Sequence, residues 1–162
     1  MTFRTGILLL VSGPSGSGKT TLCRRLSDED EAHYSISCTT RPPREGEMNG
    51  RDYHFLDRDD FQARIEAGEF LEHAEVHGNH YGTLKSEVLD FVSKGRDVVM
   101  DIDVQGADQV RSCCDSAIES ALITLFVMPP SETELRARLT GRGTDAEDII
   151  ALRMKNALEE ME

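Results

Sequence analysis

The sequence predicts an α/β fold: a parallel sheet flanked by helices, with a small antiparallel-strand lobe inserted into it and a helical lid beyond. Three observations predict it. The apolar run Ile7–Val11 leads into a Gly-rich turn and then into Thr21–Leu26, where Leu22 and Leu26 share one helical face. Two further apolar runs, 97–103 and 121–127, are separated by helical patterns, as strands of a parallel sheet are. Between these units, residues 37–84 read as short strands and a hairpin. The expected division of one domain over 1–162 is a core of 1–36 and 85–137, a lobe of 37–84 and a lid of 138–153.

The Gly-rich turn is Gly13-Pro14-Ser15-Gly16-Ser17-Gly18-Lys19-Thr20. It has the G-x-x-x-x-G-K-S/T spacing of a phosphate-binding loop, in the strand-to-helix setting that the mechanism requires. Glycines let the backbone curl so that successive N–H groups face an anion, and the helix N-terminus adds its positive end. Lys19 is placed to reach the β- and γ-phosphates, and the Thr20 hydroxyl to ligate Mg²⁺. A plain Gly/Ser turn is the alternative. The loop makes the expected fold one of the P-loop nucleoside-triphosphatase type.

The totals bound the partners. The 162 residues carry 18 Lys and Arg against 30 Asp and Glu, a net charge of −12. Such a surface repels nucleic acid and anionic membranes, so neither is an expected partner, and a phosphate site has to be built locally. The four cysteines, Cys23, Cys38, Cys113 and Cys114, follow no zinc spacing, and the adjacent pair is poorly placed to bridge. Reduced thiols and a cytoplasmic location are the expectation. The Ile7–Val11 run is too short for a signal peptide and passes directly into the phosphate loop.

Asp28–Glu31 reads as a solvated acidic run and His33–Ser37 as a second short strand. In Arg41-Pro42-Pro43-Arg44 the prolines favour polyproline II. Its period of three would point Arg41 and Arg44 the same way, about 9 Å apart, as two forks for a phosphate monoester. Solvated arginines on a stiff surface loop are the other reading. Asp57 caps a helix through Phe61 and Ile65 that stops at Gly68. Glu69–His77 alternates as a strand, Gly78-Asn79 turns, and His80–Thr83 returns. His54, His73, His77 and His80 lack metal-ligand spacing and read as surface or hairpin residues.

Ser86–Ser93 is a helix closed by Lys94-Gly95. The strand 97–103 ends in Asp101 and Asp103, which share a face if the strand persists. Ligands of open parallel sheets sit at that end, so one acid could support Mg²⁺ through water and the other could touch an acceptor; ordinary strand-end and cap roles stay open. Gly106–Ser112 is a short helix, and Ala121–Val127 a third buried strand halted by Pro129-Pro130. Capping boxes at Ser131–Glu134 and Thr144–Glu147 open two helices on either side of Gly141-Arg142-Gly143. Arg138, Arg142 and Arg153 surround this hinged flap, where they are either solvated or delivered to a transferring phosphoryl group.

Ser12–Thr20, Thr39–Glu47, Asn49–Phe55, Gly78–Thr83, Asp101–Gly106 and Gly141–Thr144 together resemble guanylate kinase, in order and in spacing, over nearly the whole chain. The resemblance implies transfer of the γ-phosphoryl of ATP to GMP with Mg²⁺, by a monomer or homodimer. It assigns Ser37 and Glu72, assisted by Thr83 and Asp103, to the guanine edge. It assigns Arg41, Arg44, Tyr53 and Tyr81 to the GMP phosphate. Lys19, Arg44, Arg142 and Arg153 would stabilise the transferring group, and Arg138 would lie along the ATP. A carboxylate at 72 suits guanine, whose N1–H and N2–H₂ are adjacent donors. His73 stands where the family often has an aromatic ring, Thr83-Leu84-Lys85 differs slightly, and the family's further strand and terminal helix lie beyond these 162 residues. The rival implied by the same resemblance is a non-catalytic phosphopeptide-binding module; such domains tend to have a degraded phosphate loop, whereas Lys19 and Thr20 are present here.

Overall fold

A computed structural model describes residues 4–29, 32–76, 78–113, 115–141 and 147–161. His77, Cys114, the Asp30-Glu31 end of the acidic run and residues 142–146, which include Arg142 and most of the second capping box, lie outside the described residues.

The chain forms β1 (Leu8–Ser12), α1 (Lys19–Asp28), β2 (His33–Tyr34), β3 (Cys38–Thr39), β4 (His54–Phe55), α2 (Arg58–Glu66), β5 (Phe70–Val76) and β6 (Asn79–Leu84). There follow α3 (Lys85–Val92), β7 (Val98–Asp101), α4 (Val104–Arg111), α5 (Ser116–Ala121), β8 (Leu122–Phe126), α6 (Glu132–Thr140) and α7 (Glu147–Glu160). Two four-stranded sheets result, ordered β2-β7-β1-β8 and β4-β3-β6-β5.

The first sheet is parallel throughout. Its central strands are apolar on both faces because both faces are covered. Leu8, Leu10, Val98 and Met100 pack in one cluster with Val88 and Val92 of α3, Ala107 and Val110 of α4, and Ile118 of α5. Val11 and Val99 pack in another with Cys23 of α1. Truncating a side chain such as Met100, about 1 % exposed, to Ala would cost about 2–5 kcal/mol through lost burial and a cavity.

β8 corrects the expectation of a third buried strand. It pairs with β1 at the edge of the sheet, and Ile123, Leu125 and Phe126 are 49 %, 40 % and 41 % exposed. Its composition is that of a central strand, and among the described residues its strand partner is β1 alone. The strand ending in two acids is corrected too. β7 stops at Asp101, and Asp103 becomes the N-cap of α4, its Oδ1 accepting from the Gly106 N–H at 2.7 Å. The two acids therefore do not share a strand face.

In the second sheet β3 pairs antiparallel with β6, and β6 with β5, while β3 and β4 run parallel. Cys38, Phe61 and Phe70 form its small core, with the Phe61 and Phe70 rings stacked at 4.4 Å. Asp57 caps α2 as expected, accepting from the Asp60 N–H at 2.8 Å. The crossing from one sheet to the other is held by Glu87 of α3. Its Oε1 accepts from the Ile36 N–H at 3.2 Å and lies 2.7 Å from His33 Nε2.

Candidate active site

Register places the donor side. β1 and β7 align Val11 with Asp101, so the loop that leaves β1 opens beside the carboxyl end of β7. Gly18, at φ +107°, is the N-cap of α1 in a conformation that side chains disfavour. Thr20 Oγ1 donates to Asp101 Oδ2 at 2.5 Å. Lys19 folds over its own loop, donating from Nζ to the carbonyls of Gly13 at 2.7 Å and Pro14 at 3.0 Å. Burial holds the Lys19 ammonium below its ordinary pKa against the pull of Asp101. Burial likewise pushes the Asp101 carboxyl up, opposed by the Thr20 hydroxyl and Lys19.

Helix α6 lies against the loop. A Cβ on Gly16 would stand 3.1 Å from Leu135 Cδ1 and 3.2 Å from Leu139 Cδ2, so the bare backbone there permits this approach. The Ser131 cap is formed as its sequence predicts, its Oγ accepting from the Glu134 N–H at 3.1 Å. One turn on, Arg138 donates from Nε to Glu134 at 2.9 Å and from Nη1 to the Ser17 carbonyl at 3.1 Å, which sets its guanidinium on the phosphate loop.

The acceptor side is a second cavity of about 240 Å³ adjoining a larger one of about 800 Å³ that reaches Lys19 and Thr20. Ser37, Tyr53, Asp101 and Asp103 line both. Glu72 of β5 lines the smaller cavity and is 7 % exposed. Fully buried Thr83 links this corner. Its Oγ1 lies 3.1 Å from Ser37 Oγ, and it stands opposite Glu72 in the β5–β6 ladder. Burial pushes the Glu72 carboxyl up to about 7; Thr83 opposes the shift and the Asp103 charge adds to it.

Arg41 lies 5.5 Å over the Tyr53 ring, which meets Tyr81 edge-on at 6.1 Å. Its guanidinium is held bidentately by Glu47, at 2.9 and 3.0 Å, and donates to the Pro42 carbonyl at 2.7 Å. Glu47 Oε2 accepts from the Arg44 N–H at 2.7 Å as well. The two arginines are therefore not equivalent: Arg41 is half-buried against aromatic rings, while Arg44 is exposed. Glu47 had no assigned role in the sequence, because a carboxylate in an irregular loop carries no periodicity to show what it faces. Arg153 is half-buried on α7, and Arg142 lies outside the described residues. Among the described residues no cluster of three or more His, Cys, Asp or Glu is arranged to hold a metal by itself.

A phosphate loop on a parallel sheet, facing a separate pocket with a buried carboxylate, defines a P-loop phosphotransferase. The guanylate kinase family model matches residues 5–162. Guanylate kinase of Alkalilimnicola ehrlichii is 52 % identical over 157 residues, covering 96 % of this chain and 75 % of the relative. That of Clostridium tetani is 43 % identical over 96 % of this chain and 73 % of its own. The crystal structure of guanylate kinase from Anaplasma phagocytophilum superposes with a TM-score of 0.75 at 35 % identity, over 99 % of this chain and 73 % of that one. The chain belongs to the guanylate kinase family.

Proposed function

We propose that the chain transfers the γ-phosphoryl group of ATP to a phosphate oxygen of GMP, releasing ADP and forming GDP. The observation that carries this reading is the buried Glu72 carboxylate in a cavity that opens onto Lys19 and Thr20. A charged group at 7 % exposure, with no cationic side chain bonded to it among the described residues, is costly, and two convergent donors of guanine would offset that cost.

In this reading Ser37, Thr83 and Asp103 assist Glu72 at the base. Arg41, Arg44, Tyr53 and Tyr81 bind the acceptor phosphate; Arg41 has to exchange Glu47 for it. The loop N–H groups of 13–20 and Arg138 hold the donor phosphates, and Lys19 exchanges its two carbonyl partners for phosphate oxygens. The attacking phosphate oxygen forms a bond to the γ-phosphorus as the bridging bond to the β-phosphate breaks, and the electron pair leaves on ADP. The acceptor is already an anion, so positioning and charge neutralisation suffice without a strong base. Lys19, Arg44, Arg142 and Arg153 supply that neutralisation, with 37–84 acting as acceptor lobe and 138–153 as lid. The Thr20 hydroxyl and Asp101 carboxylate are all-oxygen donors at the loop, which fits Mg²⁺ held by few protein ligands plus phosphates. Bound there, Mg²⁺ would screen the β- and γ-phosphate charge. A cytoplasmic monomer or homodimer accompanies this reading.

ADP release is measured with ATP, Mg²⁺ and GMP, AMP, CMP or UMP in turn. Turnover with GMP alone is expected. No turnover, with a phosphoserine peptide bound in the acceptor pocket, would replace the enzyme by a binding module.

A further inference from the structure

β5 is the outer strand of its sheet, and its pairing with β6 slips between Phe70 and Glu72. Such an irregularity bends a strand and re-aims the side chain beside it, here Glu72. At the next residue one side chain takes both main-chain groups. Gln109 Oε1 accepts from the His73 N–H at 3.1 Å, and Gln109 Nε2 donates to the His73 carbonyl at 3.0 Å. A primary amide carries donor and acceptor side by side, so it engages a strand residue as a neighbouring strand would. Gln109 comes from α4, a helix packed on the other sheet.

The rest of that helix face meets the same strand. Asp103, Gly106 and Gln109 recur every three residues, so they lie along one side. A Cβ on Gly106 would stand 3.1 Å from Glu72 Oε2. One face of α4 thus leaves room for the carboxylate and grips the main chain immediately after it. Accepting from two coplanar donors requires both carboxylate oxygens in one orientation. An edge strand held on one side only is free to twist out of that orientation.

We propose that Gln109 is a positioning residue for base recognition, its amide fixing the His73 main chain so that Glu72 meets both donors of guanine. The inference rests on the reading of Glu72 as the guanine acceptor. It assigns to a core helix a part in specificity otherwise carried by the lobe.

Gln109→Met keeps the length of the side chain and removes both bonds. The KM for GMP should rise about three- to tenfold, as expected for two solvent-exposed hydrogen bonds, with kcat and the KM for ATP within about twofold of the parent. Combined with Glu72→Gln, it should add no further loss, because it acts through that carboxylate. An unchanged KM for GMP, losses that multiply in the double variant, or equal losses for both substrates would each overturn the proposal. Hydrogen exchange supplies a readout apart from activity: the His73 amide should exchange about tenfold faster in Gln109→Met, or in Gln109→Leu should the first variant fold poorly, and an unchanged rate overturns the clamp. Glu72→Gln alone separates the two levels. If it leaves the KM for GMP unchanged, the reading of Glu72 itself is wrong; if it raises that KM while Gln109→Met does not, only the positioning role is lost.

Discussion

The phosphate loop draws its residues from one unbroken stretch, 13–20, between β1 and α1, whereas the acceptor pocket gathers Ser37, Tyr53, Glu72 and Tyr81 from the second sheet and its flanks, Asp101 from β7 of the first, and Asp103 from the start of α4. The loop inherits its shape from local backbone and needs distant residues mainly to cover it. The pocket has no local shape to inherit, so each wall depends on packing elsewhere. The electrostatics differ in the same way. Lys19 and Asp101 are both half-buried and offset one another, while Glu72 has a second carboxylate, Asp103, as its charged neighbour. The donor side is therefore balanced as it stands, and the acceptor side is strained until it meets donors.

Substitutions on the two sides should consequently differ in kind. The largest effect is expected from Lys19→Met, which should lower kcat by about 10²–10³-fold, the usual loss for removing one group that stabilises transferring charge. The KM for GMP should barely move; a KM effect as large as the kcat effect would dissolve the distinction between the sides.

Glu72→Gln should do the reverse, raising the KM for GMP about 10- to 100-fold, the worth of charge-assisted bonds to two donors. It should also stabilise the protein. With the carboxyl pushed up to about 7 from 4.5, removing the charge returns up to about 3 kcal/mol at neutral pH, read as a higher Tm without nucleotide. A lower Tm would show that Glu72 is not strained.

The same shift sets a pH dependence. A carboxyl that holds its proton more tightly folded than unfolded destabilises the fold above about pH 7, and that penalty fades as pH falls towards 4.5. Binding of GMP needs the ionised form, so its KM should rise about tenfold between pH 8 and pH 6. Glu72→Gln should flatten that profile down to what the GMP phosphate itself contributes, and the KM for ATP should not follow it.

The smallest effect is expected from Gly106→Ala. Its methyl group would press on Glu72 Oε2 from 3.1 Å, and a few-fold rise in the KM for GMP, about three- to fivefold, would measure how far the carboxylate can yield. No change would mean that α4 and β5 are loosely coupled, against the role given to Gln109.

The legibility of the molecule follows the same division. The strand–loop–helix unit at 7–28, the Asp57 and Ser131 caps and the β5–β6 hairpin are written in adjacent residues, where glycine, capping side chains and alternation act over a few positions. The exposure of Ile123, Leu125 and Phe126 on β8 among the described residues is not, because an apolar run does not name the strands that pair with it. The helix α5 carries too short a pattern to be recognised. Asp103 reads equally well as strand or cap until the ladder is seen to end at Asp101.

By itself, then, the sequence determined the phosphate loop, the strand and helix on either side of it and membership in a family of phosphotransferases, since these depend on residue types at short fixed spacings. Only the tertiary structure decided that Glu47 holds Arg41, that Glu87 pins the crossing between sheets, and that Gln109 grips the strand bearing Glu72. Those contacts join residues from 6 to 51 positions apart. Hydrogen bonds between side chains and distant backbone leave no periodic trace in a sequence, because they depend on where packing brings the chain back to itself.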